Sequence, residues 1–378
     1  MAAIPALLPS ATFREELRRR GGESAARCYQ CATCSSVCEL APAAAPFPRR
    51  QMLHAQWGLA DRLAGDPAVW LCHQCNDCTI RCPRDARPGD VLAVVRSLVI
   101  EKLAFPGFIG TLVAKARATW PLLVGLPILF WIALLAWAGH LAVPAELEPI
   151  WAYEDLVPHR YIYAVFFPVA AWVLLAAVVS GSRFWSLMGA GASRTGSFFG
   201  GLLATAGEIT THKRFGSCSA AKPRQLGHLT LFWGFVGAAV TSGLLIVGIY
   251  VQHLEMPLAL GHPYKILGNI SMAALIAGGA LLVGNRLGDG RAAGKSSAFD
   301  NFFLGLVLLV IATGTAVELV RLAGDASLGL TLYILHLGAV MSLFLTFPYS
   351  KFAHMLYRTL ALVHSRMIGQ LPASFPKA

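Results

Sequence analysis

The chain divides into two parts by the pattern of its hydrophobic positions. From residue 121 onward, apolar runs of about twenty residues recur, and each is long enough to cross a hydrocarbon core of about 30 Å. We predict six membrane-spanning helices, at 121–143, 161–181, 228–251, 265–285, 301–322 and 331–355. Before these spans the apolar runs are shorter, and they contain no long alternation of the kind that indicates strands.

The part before the first span has the pattern of a small helical domain. Between residues 49 and 70, apolar side chains recur at helical spacing. The stretch DVLAVVRSLVIEKL predicts another helix, with Asp90 as its N-cap. We therefore predict a mainly α-helical protein, with a small N-terminal domain at 1–103, a juxtamembrane linker at 104–120 and a six-helix membrane domain at 121–378.

Composition supports a membrane protein and gives another explanation for the positive charge. The chain is 56% hydrophobic and only 13% charged, about half the charged share of a soluble domain. Its net charge of +11 would by itself suit a nucleic-acid partner. However, thirteen Lys and Arg lie in the predicted inner loops and tail, at 182–226, 286–299 and 351–378, against three in the outer segments. This asymmetry predicts a multi-pass protein of the cytoplasmic (inner) membrane, with both termini in the cytoplasm and lipid rather than nucleic acid around it.

Eight of the nine cysteines lie before residue 83, in two groups spaced C-x2-C-x2-C-x3-C. The opening segment lacks the charge order of a secretion signal, so we expect thiolate ligands rather than disulfides. The spacing is that of bacterial two-cluster ferredoxins, in which the fourth cysteine of each run ligates the other cluster. Zinc is the alternative, but it usually takes paired CxxC units. We predict two [4Fe–4S] clusters, one on Cys28, Cys31, Cys34 and Cys82 and the other on Cys72, Cys75, Cys78 and Cys38.

Histidines in the membrane part are candidate haem ligands, because b haems are held by a neutral imidazole on each face. His336 and His354 are eighteen residues apart, so a continuous sixth span would place both on one face, about 27 Å apart. Pro348 lies between them and is a candidate for a local kink in this span. His228 opens the third span at the depth of His354, which predicts an inner haem b between these two residues. Gly234 and Gly237 would leave room for the macrocycle.

An outer haem b would use His336 and needs a second ligand. We favour His262, just before the fourth span, because a helix leads from it into the bundle. The alternatives are His253, His140 and His159.

Several other polar residues receive less specific predictions. We expect His54 and His73 to be surface or packing residues, and His212 to lie on the surface or against a partner. Cys218 receives no role. Glu318 lies in the fifth span, where a carboxylate serves either proton and quinone chemistry or a simple ion pair with nearby Arg321.

Two sets of motifs resemble known families. CYQCATCSSVC, PRRQMLHAQWGL and WLCHQCNDCTIRCP resemble the C subunit of heterodisulfide reductases. The region from THKRF through GHLTLFWGF to FPYSKFAH resembles the haem-binding membrane E subunit of those enzymes and, more distantly, the cytochrome b component of respiratory nitrate reductase. The fusion of the two resembles the C subunit of the quinone-interacting membrane-bound oxidoreductase. The nitrate reductase pattern has a second histidine where this chain has Ala238, so an outer haem either uses another ligand, such as His262, or is absent.

The resemblance implies a membrane electron-transfer component of an oxidoreductase complex. It would pass electrons between menaquinone or ubiquinone, b haems and the two clusters. Its implied partners are two flavin-containing relatives of the heterodisulfide reductase A subunit, linked to adenylylsulfate reductase in dissimilatory sulfur metabolism. Two alternatives remain: another heterodisulfide reductase-like complex, and a haem-free iron–sulfur anchor or redox sensor.

Overall fold

The computed structural model describes residues 8–40, 46–148, 150–189, 195–216, 218, 222–288 and 294–371. Their regular structure is helical, and no strand occurs among them. Numbered along the chain, the α-helices are α1 (Ala11–Leu17), α2 (Thr33–Ser36), α3 (Arg49–Trp57), α4 (Ala60–Ala64), α5 (Ala68–Leu71), α6 (Asp77–Ile80), α7 (Pro88–Leu103), α8 (Gly107–Ala114), α9 (Ala116–Ala138), α10 (Tyr153–Leu156), α11 (His159–Gly189), α12 (Phe198–Thr211), α13 (Lys213–Gly216), α14 (Lys222–Tyr250), α15 (Pro263–Leu287), α16 (Ala298–Ala323), α17 (Ala326–Thr346) and α18 (His354–Met367).

The N-terminal part folds as short helices around α7. Met52, Leu63 and Val95 are fully buried in its core, as their helical spacing predicts. The predicted N-cap at Asp90 is wrong, because α7 begins two residues earlier at Pro88. Asp90 lies instead in the first turn, where its carboxylate accepts a 2.7 Å hydrogen bond from Arg87 Nε. A carboxylate at this position also interacts favourably with the positive end of the helix dipole.

Six helices, α9, α11, α14, α15, α16 and α17, are long and apolar enough to cross a membrane. Each overlaps one predicted span, which confirms the prediction of a mainly helical protein with six candidate membrane helices. Most of their apolar side chains face outward, including Leu126, Phe167 and Leu174. Outward apolar side chains suit a lipid environment, so this surface indicates a membrane protein. Helix α17 is the most enclosed of the six.

The predicted sixth span, 331–355, is not one continuous helix. Helix α17 ends at Thr346, and α18 begins anew at His354 after a short 3-10 turn at Lys351–Ala353. Pro348 has no N–H to donate to the helical hydrogen bonds, and the chain leaves helical geometry at Ser350, whose ψ is −171°. His336 and His354 therefore belong to different helices, and the predicted five-turn register between them is wrong.

Helices α14 and α15 pack closely because both carry glycines at their contact. A Cβ atom added to Gly234 would lie 2.8 Å from Leu275 Cγ, and one added to Gly237 would lie 2.2 Å from Ser271 Oγ. These two glycines therefore serve helix packing rather than a macrocycle, which corrects the sequence-based expectation. Gly278 is the tightest point on the α15 side, since its added Cβ would lie 2.7 Å from the backbone nitrogen of Leu231.

We expect Gly278→Ala to destabilise the helix pair by about 1–3 kcal/mol, because backbone atoms cannot move aside as a flexible side chain can. The matched control is Gly284→Ala on the same helix, where an added Cβ meets no atom within 4 Å. Thermal unfolding of the two purified variants in detergent would measure the difference. Equal melting temperatures for Gly278→Ala and Gly284→Ala would contradict the close packing.

The N-terminal part and the membrane helices share one hydrophobic core. Trp70 stacks on Tyr357, with ring centroids 4.8 Å apart, and meets the edge of Phe184 at 6.0 Å. Arg183, on α11, donates to backbone carbonyls at the C-terminal end of α7 and so satisfies groups that the helix leaves unpaired. These contacts place the cysteine-containing domain directly against one end of the helix bundle.

Candidate functional site

The structure gathers the eight N-terminal cysteines around two small cavities. One cavity is lined by Cys28, Cys31, Cys34 and Cys82, and the other by Cys38, Cys72, Cys75 and Cys78. These are the two sets that the motif spacing predicts, with one cysteine of each set coming from the other run. The fourth cysteine of each run lines the cavity of the other run. This exchange follows from the short helices α2 and α6, which turn the chain between the third and fourth cysteines of each run.

Turns in the left-handed region shape both cysteine loops. Gln30 and Ala32 have positive φ in the first loop, as do Gln74 and Asn76 in the second. A positive φ is uncommon for residues other than glycine. It costs conformational free energy and persists only where contacts of the surrounding structure fix the residue. The two loops therefore repeat the same strained geometry around their cavities.

The thiols of both cavities crowd one another. Burial raises the pKa of Cys34 to about 11, and the adjacent Cys28 adds to that rise. Burial likewise raises the pKa of Cys78 well above its usual value, and Cys72 contributes in the same direction. A set of four adjacent thiolates is therefore unfavourable without a cation between them. Iron–sulfur clusters provide such a cationic centre and take four cysteines each, so the donor sets fit this group.

Cys218 lies beside the second cavity, which sequence reasoning missed. Its Sγ atom, the Sγ atom of Cys75 and a carboxylate oxygen of Asp77 lie within 4.8 Å of one another. Cys218 is 2% exposed and packs with Leu40 and Phe215. No local signal marks it, because it is more than a hundred residues from the cysteine motifs along the chain.

A larger cavity of about 260 Å³ lies between the second cysteine run and the membrane helices. Its lining includes Cys72 and His73 on one side, and His228 and His354 on the other. The ring centroids of His228 and His354 are 5.9 Å apart, with an angle of 75° between the rings. The volume of about 260 Å³ is slightly below the range of about 300–1,000 Å³ that small-molecule sites occupy.

In both His228 and His354, the Nδ1 atom is hydrogen-bonded and the Nε2 atom is left to bind a ligand. His354 Nδ1 is hydrogen-bonded to the backbone carbonyl of Lys351, and His228 Nδ1 lies 2.7 Å from His212 Nε2. Among the described residues, no hydrogen bond engages the Nε2 atom of either ring. Metal-binding histidines commonly show this pattern, in which a second contact orients the imidazole and fixes its tautomer.

His212 is half-buried, and it contacts His228 within the same chain, a contact that the sequence did not predict. It ends α12 with a positive φ of 51°, which turns its ring toward α14. Burial lowers the pKa of His212, which favours the neutral imidazole that can bond His228. Its presence in the THKRF stretch was visible in the sequence, but its contact with His228 required the tertiary fold.

The structure does not bring His336 and His262 together. His336 Nδ1 lies 3.0 Å from the hydroxyl of Thr313 on α16, and the added Cβ of Gly314 would lie 2.9 Å from its ring. His262 instead caps α15, where its Nδ1 accepts from the backbone nitrogen of Tyr264. Within the described part of the chain, no ring contact joins His336 to another imidazole.

Two further residues of the sequence analysis now have structural partners. Glu318 forms ion pairs with Lys265 at 2.6 Å and with Arg321 at 3.4 Å. These contacts favour the ion-pair role of this carboxylate over proton or quinone chemistry. His73 is a packing residue, stacked on Phe215 with ring centroids 4.9 Å apart. Burial lowers the pKa of His73 well below its usual value, and the nearby Arg358 lowers it further.

Comparison with known proteins identifies the N-terminal part. Residues 24–86 match the family model of a 4Fe-4S dicluster domain. The C subunit of the H(2):CoB-CoM heterodisulfide,ferredoxin reductase of Methanothermobacter thermautotrophicus is 37% identical over 86 residues, which are 22% of this chain and 46% of that protein. A protein of Archaeoglobus profundus that is described as similar to the heterodisulfide reductase C subunit is 36% identical over 91 residues, 24% of this chain and 48% of that protein. The chain thus spans about half the length of these relatives.

The fold and the site define a membrane protein whose N-terminal iron–sulfur domain is similar to the C subunit of heterodisulfide reductases. Residues 112–373 match the family model of citrate utilization protein B. The Escherichia coli protein of that name is 29% identical over 366 residues, 89% of this chain and 88% of that protein. The chain belongs to the citrate utilization protein B family. No solved structure matches it.

Proposed function

We propose that the protein is a membrane electron-transfer component that passes electrons between the quinone pool, a b haem and two [4Fe–4S] clusters. The observation that carries this proposal is the cavity that joins the second cysteine run to the His228–His354 pair. One redox group held in this cavity would be adjacent to another held by Cys72 and its neighbours. The charge asymmetry of the loops supports a cytoplasmic position for the iron–sulfur domain.

The residues around the cavity fit a b haem held by two imidazoles. Two imidazoles bound to one metal ion at about 2 Å place their ring centres about 6 Å apart, and His228 and His354 are 5.9 Å apart. Haem iron between two histidines changes its oxidation state by one electron and so supplies electron transfer. His212 and the carbonyl of Lys351 would orient the two rings. The prediction of an outer haem on His336 and His262 has no comparable pair of rings to support it.

The two sets of cysteines would hold the clusters as the spacing predicts. The first set is Cys28, Cys31, Cys34 and Cys82, and the second is Cys72, Cys75, Cys78 and Cys38. The second set lies nearer the haem cavity, because Cys72 lines both. We therefore place the second cluster between the membrane and the first cluster in the electron path. We propose that the iron–sulfur part ends at residue 103 and that the membrane part begins at residue 121, with the linker between them.

The partner that exchanges electrons with the clusters has two candidates. The resemblance to the C subunit of the quinone-interacting oxidoreductase favours flavoproteins similar to the heterodisulfide reductase A subunit, together with adenylylsulfate reductase. The relative that matches nearly the whole chain is instead named for citrate utilization, which favours an oxidoreductase of citrate or a related acid. Growth of a deletion strain on citrate and related tricarboxylates, compared with its growth on sulfur compounds, would decide between them.

We expect His228→Ala and His354→Ala each to remove the b haem while both iron–sulfur clusters remain, because each variant lacks one axial ligand. Redox-difference absorption spectra and haem-to-iron ratios of the purified variants would measure this loss. Reduction of the clusters by added quinol should be lost in the same two variants.

The control for this experiment is Arg62→Gln, since Arg62 is exposed on α4 and is not a candidate ligand of either haem. His336→Ala tests the outer haem separately. Full haem content in His228→Ala would refute the proposed ligand, and a wild-type protein without haem would favour the iron–sulfur anchor. Loss of a second haem in His336→Ala would establish two haems.

A further inference from the structure

The wall of the large cavity is strongly basic, and this charge is not balanced within the described residues. Seven cationic side chains line the cavity, against two carboxylates. Both carboxylates are already paired: Glu208 binds Arg214 and Arg366, and Asp300 binds Lys351 at 2.6 Å. The remaining cations are Arg96, Arg224, Arg286, Lys295 and Arg358.

Lys295 is paired with Glu23 at 3.3 Å, whereas the described carboxylates form no ion pair with the four arginines. Of these four, Arg96 and Arg358 approach the segment 69–72 from opposite parts of the fold. Arg96 donates to the backbone carbonyl of Cys72 at 3.1 Å and to that of Val69 at 3.2 Å. Arg358 donates to the carbonyl of Leu71 at 2.9 Å. The two guanidinium groups reach this segment from different helices, α7 and α18. Burial lowers the pKa of Arg358 to about 10, so its guanidinium remains charged at neutral pH.

Both arginines are half-buried, and their described hydrogen-bond partners, which include Gln74 and His73, are neutral. A guanidinium group that is partly removed from water gains from pairing with an anion. An arginine carries five N–H donors in a planar fork, which suits bidentate binding of a carboxylate. Arg96 and Arg358 use only some of these donors in their bonds to carbonyls. Both also line the cavity that contains His228 and His354.

We propose that Arg96 and Arg358 form an anion subsite that binds the carboxylate end of the ligand held by His228 and His354. This inference rests on the proposed function, in which that ligand is a b haem, whose two propionate side chains are carboxylates. It also fixes the orientation of the group: the carboxylates point to the iron–sulfur domain rather than into the membrane.

The subsite would also connect the two redox groups. Arg96 donates to the carbonyl of Cys72, which lines the second cysteine cavity. A carboxylate bound to Arg96 would therefore be linked to the backbone of a cluster ligand through a single side chain. This arrangement holds the haem edge and the cluster at a fixed separation, which a surface charge could not do.

The test is reconstitution of the full-length protein, prepared without haem in detergent, with haem b and with its dimethyl ester. The ester keeps the iron and the ring but lacks the negative charges. We expect wild-type protein to bind the ester at least about tenfold more weakly than haem, because hydrogen bonds between charged groups are lost. In the double variant Arg96→Gln/Arg358→Gln, we expect haem and the ester to bind equally. Arg62→Gln, at an exposed arginine on α4, should behave as wild type.

A second readout is the haem midpoint potential, which should be lower in the double variant because removal of positive charge favours the oxidised iron. Equal binding of haem and its ester by the wild type would overturn the subsite while leaving the His228–His354 site intact. The anion subsite would also be overturned if the double variant Arg96→Gln/Arg358→Gln still bound haem more tightly than the ester. A wild-type protein that binds neither form would overturn the proposed haem site itself.

Discussion

Replacement of Cys82 by alanine is expected to abolish the cluster held by Cys28, Cys31 and Cys34, although Cys82 belongs to the second cysteine run. The reason is geometric, because Cys82 lines the first cavity together with those three residues. A cubane cluster that lacks one of its four thiolates is lost or becomes unstable. Non-haem iron per chain should therefore fall by about half, and one of two EPR signals should disappear.

The reciprocal variant, Cys38→Ala, should remove the other signal, because Cys38 lines the second cavity. Cys218→Ala is the matched control, since it removes a buried thiol beside the second cavity that belongs to neither set of four. If Cys82→Ala and Cys78→Ala eliminated the same signal, each run would hold its own cluster and the exchange of fourth ligands would be refuted.

Trp70→Ala is expected to have the largest effect on stability, about 3–5 kcal/mol. Trp70 is 1% exposed and lies between Tyr357 and Phe184, where the iron–sulfur domain meets the membrane helices. Its loss would leave a cavity at this junction and remove two aromatic contacts. We expect a lower unfolding temperature and slower electron transfer between haem and clusters, measured by stopped-flow reduction with quinol.

Trp57→Ala serves as the control, because Trp57 is 54% exposed at the end of α3 in the same domain. Trp70→Phe should recover most of the stability, since a smaller ring still fills part of the space. Iron content must be measured in each variant, because Trp70 is close to Cys72. An unfolding temperature for Trp70→Ala equal to that of Trp57→Ala would show that the junction does not depend on this side chain.

Features that depend on nearby residues could be predicted well from the sequence. The six apolar runs are contiguous, so their length alone predicts membrane helices, and the cysteine spacing constrains which thiols can surround one centre. The break after Thr346 also had a local cause, because Pro348 cannot continue the helical hydrogen bonds. The sequence indicated a local kink at Pro348, and the structure shows two separate helices instead.

The tertiary structure alone decided which distant residues meet. His212 contacts His228 only because the C-terminal end of α12 lies beside α14, and Cys218 lies close to Cys75 only in the folded chain. Arg96 and Arg358 are more than two hundred and fifty residues apart, yet both bind the segment before and at Cys72. Spacing along the chain determines local turns and spans. The charge and shape of a cavity depend instead on side chains from several helices, whose positions are set by packing of the whole fold.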